Sequence, residues 1–344
     1  MSEQITLETY LSGWNLTGPE KNATAGAIRA IADAGADIAH RIACGPLNGG
    51  LSTAAGVEGG DARQAAGAWA NDRLMAALKL AHVAAIASGE LRTPLEFGDG
   101  LVAVALDPLD GSTNIDTNIS VGTLFSIVPA PANESAEAIF MQPGSAQLAA
   151  GYIMYGPQCA LVLTAGDGTQ IFTLDPLARR FWLTTPRVSI RPASNEYAIN
   201  ASNYRHWSDS VRAYIDDCMA GSEGPRGTDV NMRWIASLVA ECHRILSRGG
   251  VFLYPGDARK GYEKGRLRLI YEANAIAFLV EQAGGKAFDG NTRILDVVPT
   301  DIHQRTPLIF GSAEEIDRIA RYKADPTAIF ERSPLFSRRG LLRV

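Results

Sequence analysis

Two carboxylates three residues apart, Asp107 and Asp110, stand in the string Asp107-Pro108-Leu109-Asp110-Gly111-Ser112-Thr113-Asn114-Ile115-Asp116. Apolar runs at 101–106 and 121–128 flank it, each with strand length and β-branched content. The acids therefore lie where a buried strand ends and a loop begins. Hard oxygen donors in that setting suit Mg²⁺, which takes one or two carboxylates, waters and phosphate oxygens. Pro108 stiffens the turn, so both acids can face one cation with the Leu109 carbonyl as a third oxygen. Gly111 lets the backbone approach a ligand closely. The amides and hydroxyls of Ser112 and Thr113 can hold phosphate oxygens. A plain Asp-Pro turn with solvated acids is the competing reading. The second acid, the Gly-Ser-Thr-Asn continuation and the framing strands favour the metal site. A calcium EF-hand loop fits poorly, because the Gly is misplaced and no helices flank the string.

The elements that must carry this string follow from periodicity. Short and long helices are predicted at 5–14 and 23–44, the second Ala-rich with Ile28, Ile31, Ile38 and Ile42 at helical spacing. A Gly/Ser/Thr-rich loop at 47–60 leads to a helix at 61–82 that opens on Asp61, either a helix-terminal acid or an acid facing the metal loop. A short strand at 83–88 precedes Gly89-Glu90. Strands at 151–155, 160–163, 170–174 and 180–183, separated by Gly/Pro/Asp turns, predict an antiparallel sheet. Residues 186–195 read as a crossing to a second domain. That domain is predicted to hold strands at 197–199, 249–255, 269–271 and 308–310, and helices reaching 219 and spanning 232–244, 272–283 and 313–323. The tail 333–344 is expected to be loosely held.

The chain has 344 residues, enough for two modest domains, with 46% hydrophobic and 20% charged residues, an ordinary globular composition. A formal charge of −5 argues against nucleic acid as a partner. No apolar run approaches the ~20 residues of a membrane span, and the polar start lacks a signal-peptide core, so cytoplasm is expected. Cys44, Cys159, Cys218 and Cys242 are scattered without Cys-x-x-Cys spacing and read as buried small hydrophobes.

Asp107-Pro108-Leu109-Asp110-Gly111-Ser112 resembles the metal motif of the lithium-sensitive sugar phosphatase superfamily. The extension through Asn114-Ile115-Asp116 and Val121-Gly122-Thr123, together with 267–285, resembles class 1 fructose-1,6-bisphosphatase. The resemblance spans about residues 5–325. It implies a layered αβαβα fold with two domains, 1–190 carrying the metal motif and 191–344 binding sugar phosphate. It implies hydrolysis of the 1-phosphate of D-fructose 1,6-bisphosphate, in gluconeogenesis or the Calvin cycle, by a homotetramer. The implied cofactor is Mg²⁺, with Mn²⁺ as the alternative, at two or more ions per subunit. Metal would be held by Asp107, Asp110, the Leu109 carbonyl, Glu272 and Glu90, with Glu90 and Asp61 acting on the attacking water. The implied substrate contacts are Asp110, Gly111, Ser112, Thr113, Asn200, Tyr204, Arg233, Tyr254, Arg266 and Arg268.

The chain departs from the family pattern at several places, among them Gln64-Ala65-Ala66 for a Lys-rich stretch, Arg266 for Lys and Ala275 for Pro, and three departures bear most on catalysis. Gly67 and Gly89 stand where acids are usual, and Trp234 stands where Tyr is usual. Multi-metal phosphate hydrolysis relies on such acids. A paralogue with weak or no catalysis, binding sugar phosphate or pairing with an active subunit, is therefore a second expectation. A third keeps catalysis and changes the substrate to sedoheptulose 1,7-bisphosphate or an inositol phosphate.

Overall fold

The computed structural model describes residues 5–13, 18–48 and 59–324, and within these the side chains of 46, 48 and 59–65 lie outside the description. Most of the loop expected at 47–60 and the tail expected at 333–344 therefore fall on residues not described. The first half contains α1 (Leu7–Gly13), α2 (Pro19–Cys44), α3 (Gly59–Leu80), β1 (Ala85–Ser88), β2 (Leu95–Glu96), β3 (Val102–Asp110), β4 (Val121–Pro129) and α4 (Ala136–Ile139). It closes with β5 (Ala149–Tyr155), β6 (Cys159–Thr164), β7 (Thr169–Asp175) and β8 (Arg180–Thr185). The second half contains β9 (Glu196–Ile199), α5 (Asp209–Ala220), β10 (Asn231–Met232), α6 (Leu238–Arg248), β11 (Val251–Tyr254) and β12 (Leu267–Arg268). After them come α7 (Asn274–Gln282), β13 (Lys286–Phe288), β14 (Arg305–Thr306), β15 (Leu308–Gly311) and α8 (Ala313–Ala324).

The strands form an eight-stranded sheet in the order β2-β1-β3-β4-β5-β6-β7-β8, a five-stranded sheet in the order β10-β9-β11-β15-β13, and the small pair β12-β14. Strands β3 to β8 pair antiparallel, each with the next, as the turn chemistry predicts. The exception that matters is β1, which runs parallel to β3 with Ser88 beside Leu106. The carboxyl ends of two parallel strands thus lie side by side, and crevices at such ends are where α/β sheets bind ligands.

Three of the four cores among the described residues stack the layers. On one face of the large sheet, Ile28, Ile31, Ile38, Leu74 and Leu78 of α2 and α3 pack on Val104, Phe125 and Ile153. Helix α2 comes so close that a Cβ on Gly35 would stand 2.2 Å from the Ile153 Cδ1. On the other face, Leu124, Tyr152 and Val162 meet Val239, Ile245, Ile276 and Leu279 of α6 and α7, which also cover Ala198, Phe252 and Phe310 of the second sheet. The far face of that sheet, Val251, Leu253 and Ile309, packs on Tyr214, Ile215, Ile316 and Ile319 of α5 and α8. Residues 251–253 alternate between the two cores, as the period of a strand demands. The result is α–β–α–β–α, the layered fold expected.

Two predicted elements differ. The helix read at 232–244 begins at Leu238, because Arg233 donates its N–H to the Tyr197 carbonyl and Ala236 takes a left-handed φ of 61°. Ser237 then caps the helix, its hydroxyl accepting from Ala240 N–H. The strand read at 269–271 is instead a π-helical turn, Leu269–Ala273, wholly buried, that leads into α7. Apolar content does not distinguish a short buried strand from a short buried turn.

Candidate metal centre

Strand β3 is buried throughout its apolar part, and its register against β4 shifts between Asp107 and Asp110. That irregularity follows from Pro108, which has no N–H for the ladder. The bend is braced from beneath. The buried Thr123 hydroxyl on β4 donates to the Pro108 carbonyl at 2.8 Å and shares a second 2.8 Å bond with the Tyr155 hydroxyl. Gly111 then turns at φ 72°, starting the 3-10 turn Ser112–Thr117. The first N–H groups of such a turn have no intrahelical acceptor, and here they belong to Ser112 and Thr113.

Asp107, Asp110 and Glu272 present carboxylate oxygens that all lie within 4.8 Å of one another. The π-helical turn aims Glu272 at the end of β3, a local distortion often found at functional sites. Glu272 accepts from the Arg268 N–H at 2.6 Å. Asp107 accepts from Leu109 N–H at 3.3 Å, and Asp110 from Val239 N–H, also at 3.3 Å. The N-terminus of α6 therefore seats Asp110, which suits both its free amides and its dipole.

Burial dominates the electrostatics. It pushes Asp107 up to about 8, helped by the neighbouring charges of Asp110 and Glu90 and opposed by Leu109 N–H and Arg268. Burial likewise pushes Asp110 up to about 6 against the amides of Val239 and Leu238. Glu272 is raised well above the usual carboxylate range by burial and then by Asp107 and Asp110. Glu272, buried, and Asp107 and Asp110, half-buried, resist ionising beside one another and form an oxygen-donor set suited to positive charge. The donor chemistry fits a hard divalent ion.

Glu90 follows the turn after β1. Its N–H bonds the Ser88 hydroxyl at 3.3 Å, and Ser88 in turn donates to Asn71 of α3 at 2.7 Å. Its charge reaches Asp107. Gly67, one helical turn before Asn71, lies opposite, so that a Cβ there would stand 3.1 Å from Glu90 Oε1. Asp61 lies in the first turn of α3, with its side chain outside the description.

The predicted sugar contacts form a second group. Asn200, Tyr254 and Arg266 line one small cleft at the ends of β9 and β11. The Arg266 guanidinium stacks 4.8 Å over the Tyr262 ring. Trp234 lies flat against Phe252 and Tyr254, at ring separations of 5.9 and 6.5 Å. Arg233 is exposed beside Glu196, at 3.5 Å. The charge of Arg268 reaches both Asp107 and Glu272. Tyr204 does not join this group through its hydroxyl, which donates to Asp216 on α5 at 2.9 Å while its ring packs edge-on against Trp207. Asn200 Oδ1 accepts from Ser202, the turn chemistry that was its alternative reading.

Sequence reasoning missed the residues that join the two groups. Asn114 donates its side-chain N–H to the Ala236 carbonyl at 2.8 Å, and Glu241 accepts from Ile235 N–H at 2.6 Å. Segment 233–237 is thereby pinned to the metal loop. A serine directly before the run Leu238-Val239-Ala240 was the available sign of where α6 starts.

Comparisons with known proteins agree in direction. Residues 29–186 match the family described as fructose-1-6-bisphosphatase, N-terminal domain, and residues 190–324 match its C-terminal domain. A class 1 fructose-1,6-bisphosphatase of Azorhizobium caulinodans is 52% identical, with 94% of this chain and all of that protein covered. One from Rhodopseudomonas palustris is 49% identical over the whole of both chains. The holo crystal structure of Leishmania major fructose-1,6-bisphosphatase superposes with a TM-score of 0.84 at 33% identity, covering 94% of this chain and all of that one.

Proposed function

This chain belongs to the class 1 fructose-1,6-bisphosphatase family, and from that premise we propose how its residues carry the reaction. It is a phosphatase that hydrolyses fructose 1,6-bisphosphate, and family membership makes it dependent on divalent metal. The observation that carries the site assignment is the convergence of Asp107, Asp110 and Glu272 within 4.8 Å. These carboxylates, with the Leu109 carbonyl and Glu90 as a further ligand, would hold Mg²⁺ in our reading, with Mn²⁺ as the alternative, at two or more ions per subunit. When bound, such ions stabilise charge on the attacking and leaving oxygens of an in-line displacement.

The chain's own groups do the rest. Ser112 and Thr113 offer N–H and hydroxyl donors to the 1-phosphate at the start of their turn. Glu90, exposed at the mouth of the site, takes the proton from the attacking water, and Asp61 helps to orient that water. Arg268 faces the reacting phosphate. Asn200, Tyr254 and Arg266 hold the sugar and its distal phosphate, and Arg233 adds charge at the rim. Water adds to phosphorus, the bond from phosphorus to the sugar C1 oxygen breaks, that oxygen takes up a proton from solvent as Glu90 returns its own, and fructose 6-phosphate leaves with phosphate.

We take 1–190 and 191–344 as the two domains, and a homo-oligomer, specifically a tetramer, as the working assembly in the cytoplasm. Among the described residues no helix is long and apolar enough to cross a membrane. The inactive-paralogue reading is not favoured, because relatives near 50% identity over the whole chain are named as the enzyme.

The test is phosphate release from fructose 1,6-bisphosphate with and without Mg²⁺, with sedoheptulose 1,7-bisphosphate and inositol phosphate alongside. Release that requires Mg²⁺, favours the fructose ester and vanishes in Asp110→Asn is expected. Release indifferent to chelator and to that substitution refutes the assignment.

A further inference from the structure

Gly67 lies in the interior of α3, where glycine weakens a helix relative to alanine. Its backbone does not require glycine, since no left-handed φ occurs there. Among the described residues its clearance serves one group, because a Cβ would meet the Glu90 carboxylate, with Oε1 at 3.1 Å and Cδ at 3.6 Å. Gly89, beside Glu90 in sequence, has nothing within 4 Å of its Cβ position. The space at 67 is thus specific, and the path to it is built. Asn71, four residues on and so on the same helical face, holds the Ser88 hydroxyl, which accepts the Glu90 N–H.

We propose that Gly67 is a positioning residue that forms a seat on α3 for the Glu90 carboxylate. The seat holds that charge to one side of Asp107, Asp110 and Glu272. The open space at Gly67 admits the seated position, and a cation among the three acids would draw Glu90 toward it. This rests on the metal centre proposed above and adds to it a two-position Glu90, set by the missing side chain of residue 67.

Filling the seat forces Glu90 aside. Its carboxylate is the far end of an exposed, flexible side chain, so it moves and the helix does not. The test is Mn²⁺ affinity by calorimetry for the parent chain, Gly67→Ala, Glu90→Gln and the double substitution. Bringing one carboxylate a few tenths of an ångström nearer a divalent ion, the shift a 3.1 Å contact demands, is worth about a twofold gain at an effective dielectric of ~20. Gly67→Ala is therefore expected to tighten Mn²⁺ about twofold. In the Glu90→Gln background the same substitution leaves affinity unchanged, while melting temperature rises or holds in both backgrounds. An equal shift in both backgrounds, or no shift in either, overturns the seat. A second measurement stands if Gly67→Ala folds poorly. Glu90→Gln alone should weaken Mn²⁺ far less than Asp110→Asn, and equal losses overturn the proposal. Absence of Mn²⁺ uptake by the parent chain overturns the metal centre itself, whereas uptake without coupling overturns only the seat.

Discussion

Thr123→Val is the most informative single change to the scaffold of the metal loop. Thr123 is fully buried, and its hydroxyl donates to the Pro108 carbonyl while accepting from the Tyr155 hydroxyl, both at 2.8 Å. Valine keeps the shape and deletes both bonds. It strands the Tyr155 hydroxyl, itself only 4% exposed, at a cost of about 1–3 kcal/mol for an unsatisfied buried group. The lost bond to Pro108 adds about 1 kcal/mol, so the single change should cost about 2–4 kcal/mol. Tyr155→Phe leaves Thr123 donating to Pro108 and should cost about 0.5–1.5 kcal/mol. The double substitution no longer strands a phenol, and should cost less than Thr123→Val alone or match it, about 1–2 kcal/mol. Urea midpoints of the four proteins close the cycle, and Mg²⁺ titration reports whether the bend between Asp107 and Asp110 has loosened. Additive costs, or a Thr123→Val midpoint within error of the parent, would show that this pair does not brace the loop.

Asp110→Asn removes one of the three converging carboxylates, and divalent-ion uptake measured by calorimetry should be lost together with phosphate release. In the metal-free chain Asp107 and Asp110 bind protons more tightly than in the unfolded chain, where the value is ~4. Folding stability should therefore fall as pH rises above ~4, with the loss continuing through about 6 and about 8. Mg²⁺ displaces those protons, so its affinity should climb over the same interval, and a flat Mg²⁺ titration between about pH 6 and 8 argues against a carboxylate site. Glu315→Ala leaves Arg226 buried without the carboxylate that takes two of its N–H groups at 2.8 and 2.9 Å. It should cost about 3–5 kcal/mol in urea denaturation while phosphate release per folded molecule persists.

Much of the fold was legible along the chain. The apolar runs around Asp107 predict β3 and β4, and the spaced Gly/Pro/Asp turns predict the antiparallel run from β5 to β8. Helices α2, α3, α7 and α8 follow from period and composition, within a few residues at each end. Two errors share one cause. At 232–244 and at 269–271 the apolar content was read correctly and the local geometry was not. Backbone bonds to distant partners, Tyr197 for Arg233 and Gln304 for Leu269, decided those conformations.

The sequence by itself determined the chemistry on offer: two acids at a strand end, a turn able to receive phosphate, and a string matching one enzyme family. Those are local properties, set by residue type and by spacing within a few positions. Tertiary structure alone decided the company those acids keep. Parallel pairing sets Glu90 beside Asp107, the π-helical turn delivers Glu272, and the start of α6 receives Asp110. Helix α3 also turns Gly67 toward Glu90. Each meeting joins segments far apart in the chain, and depends on which faces the layered cores bury, which no short stretch of sequence encodes.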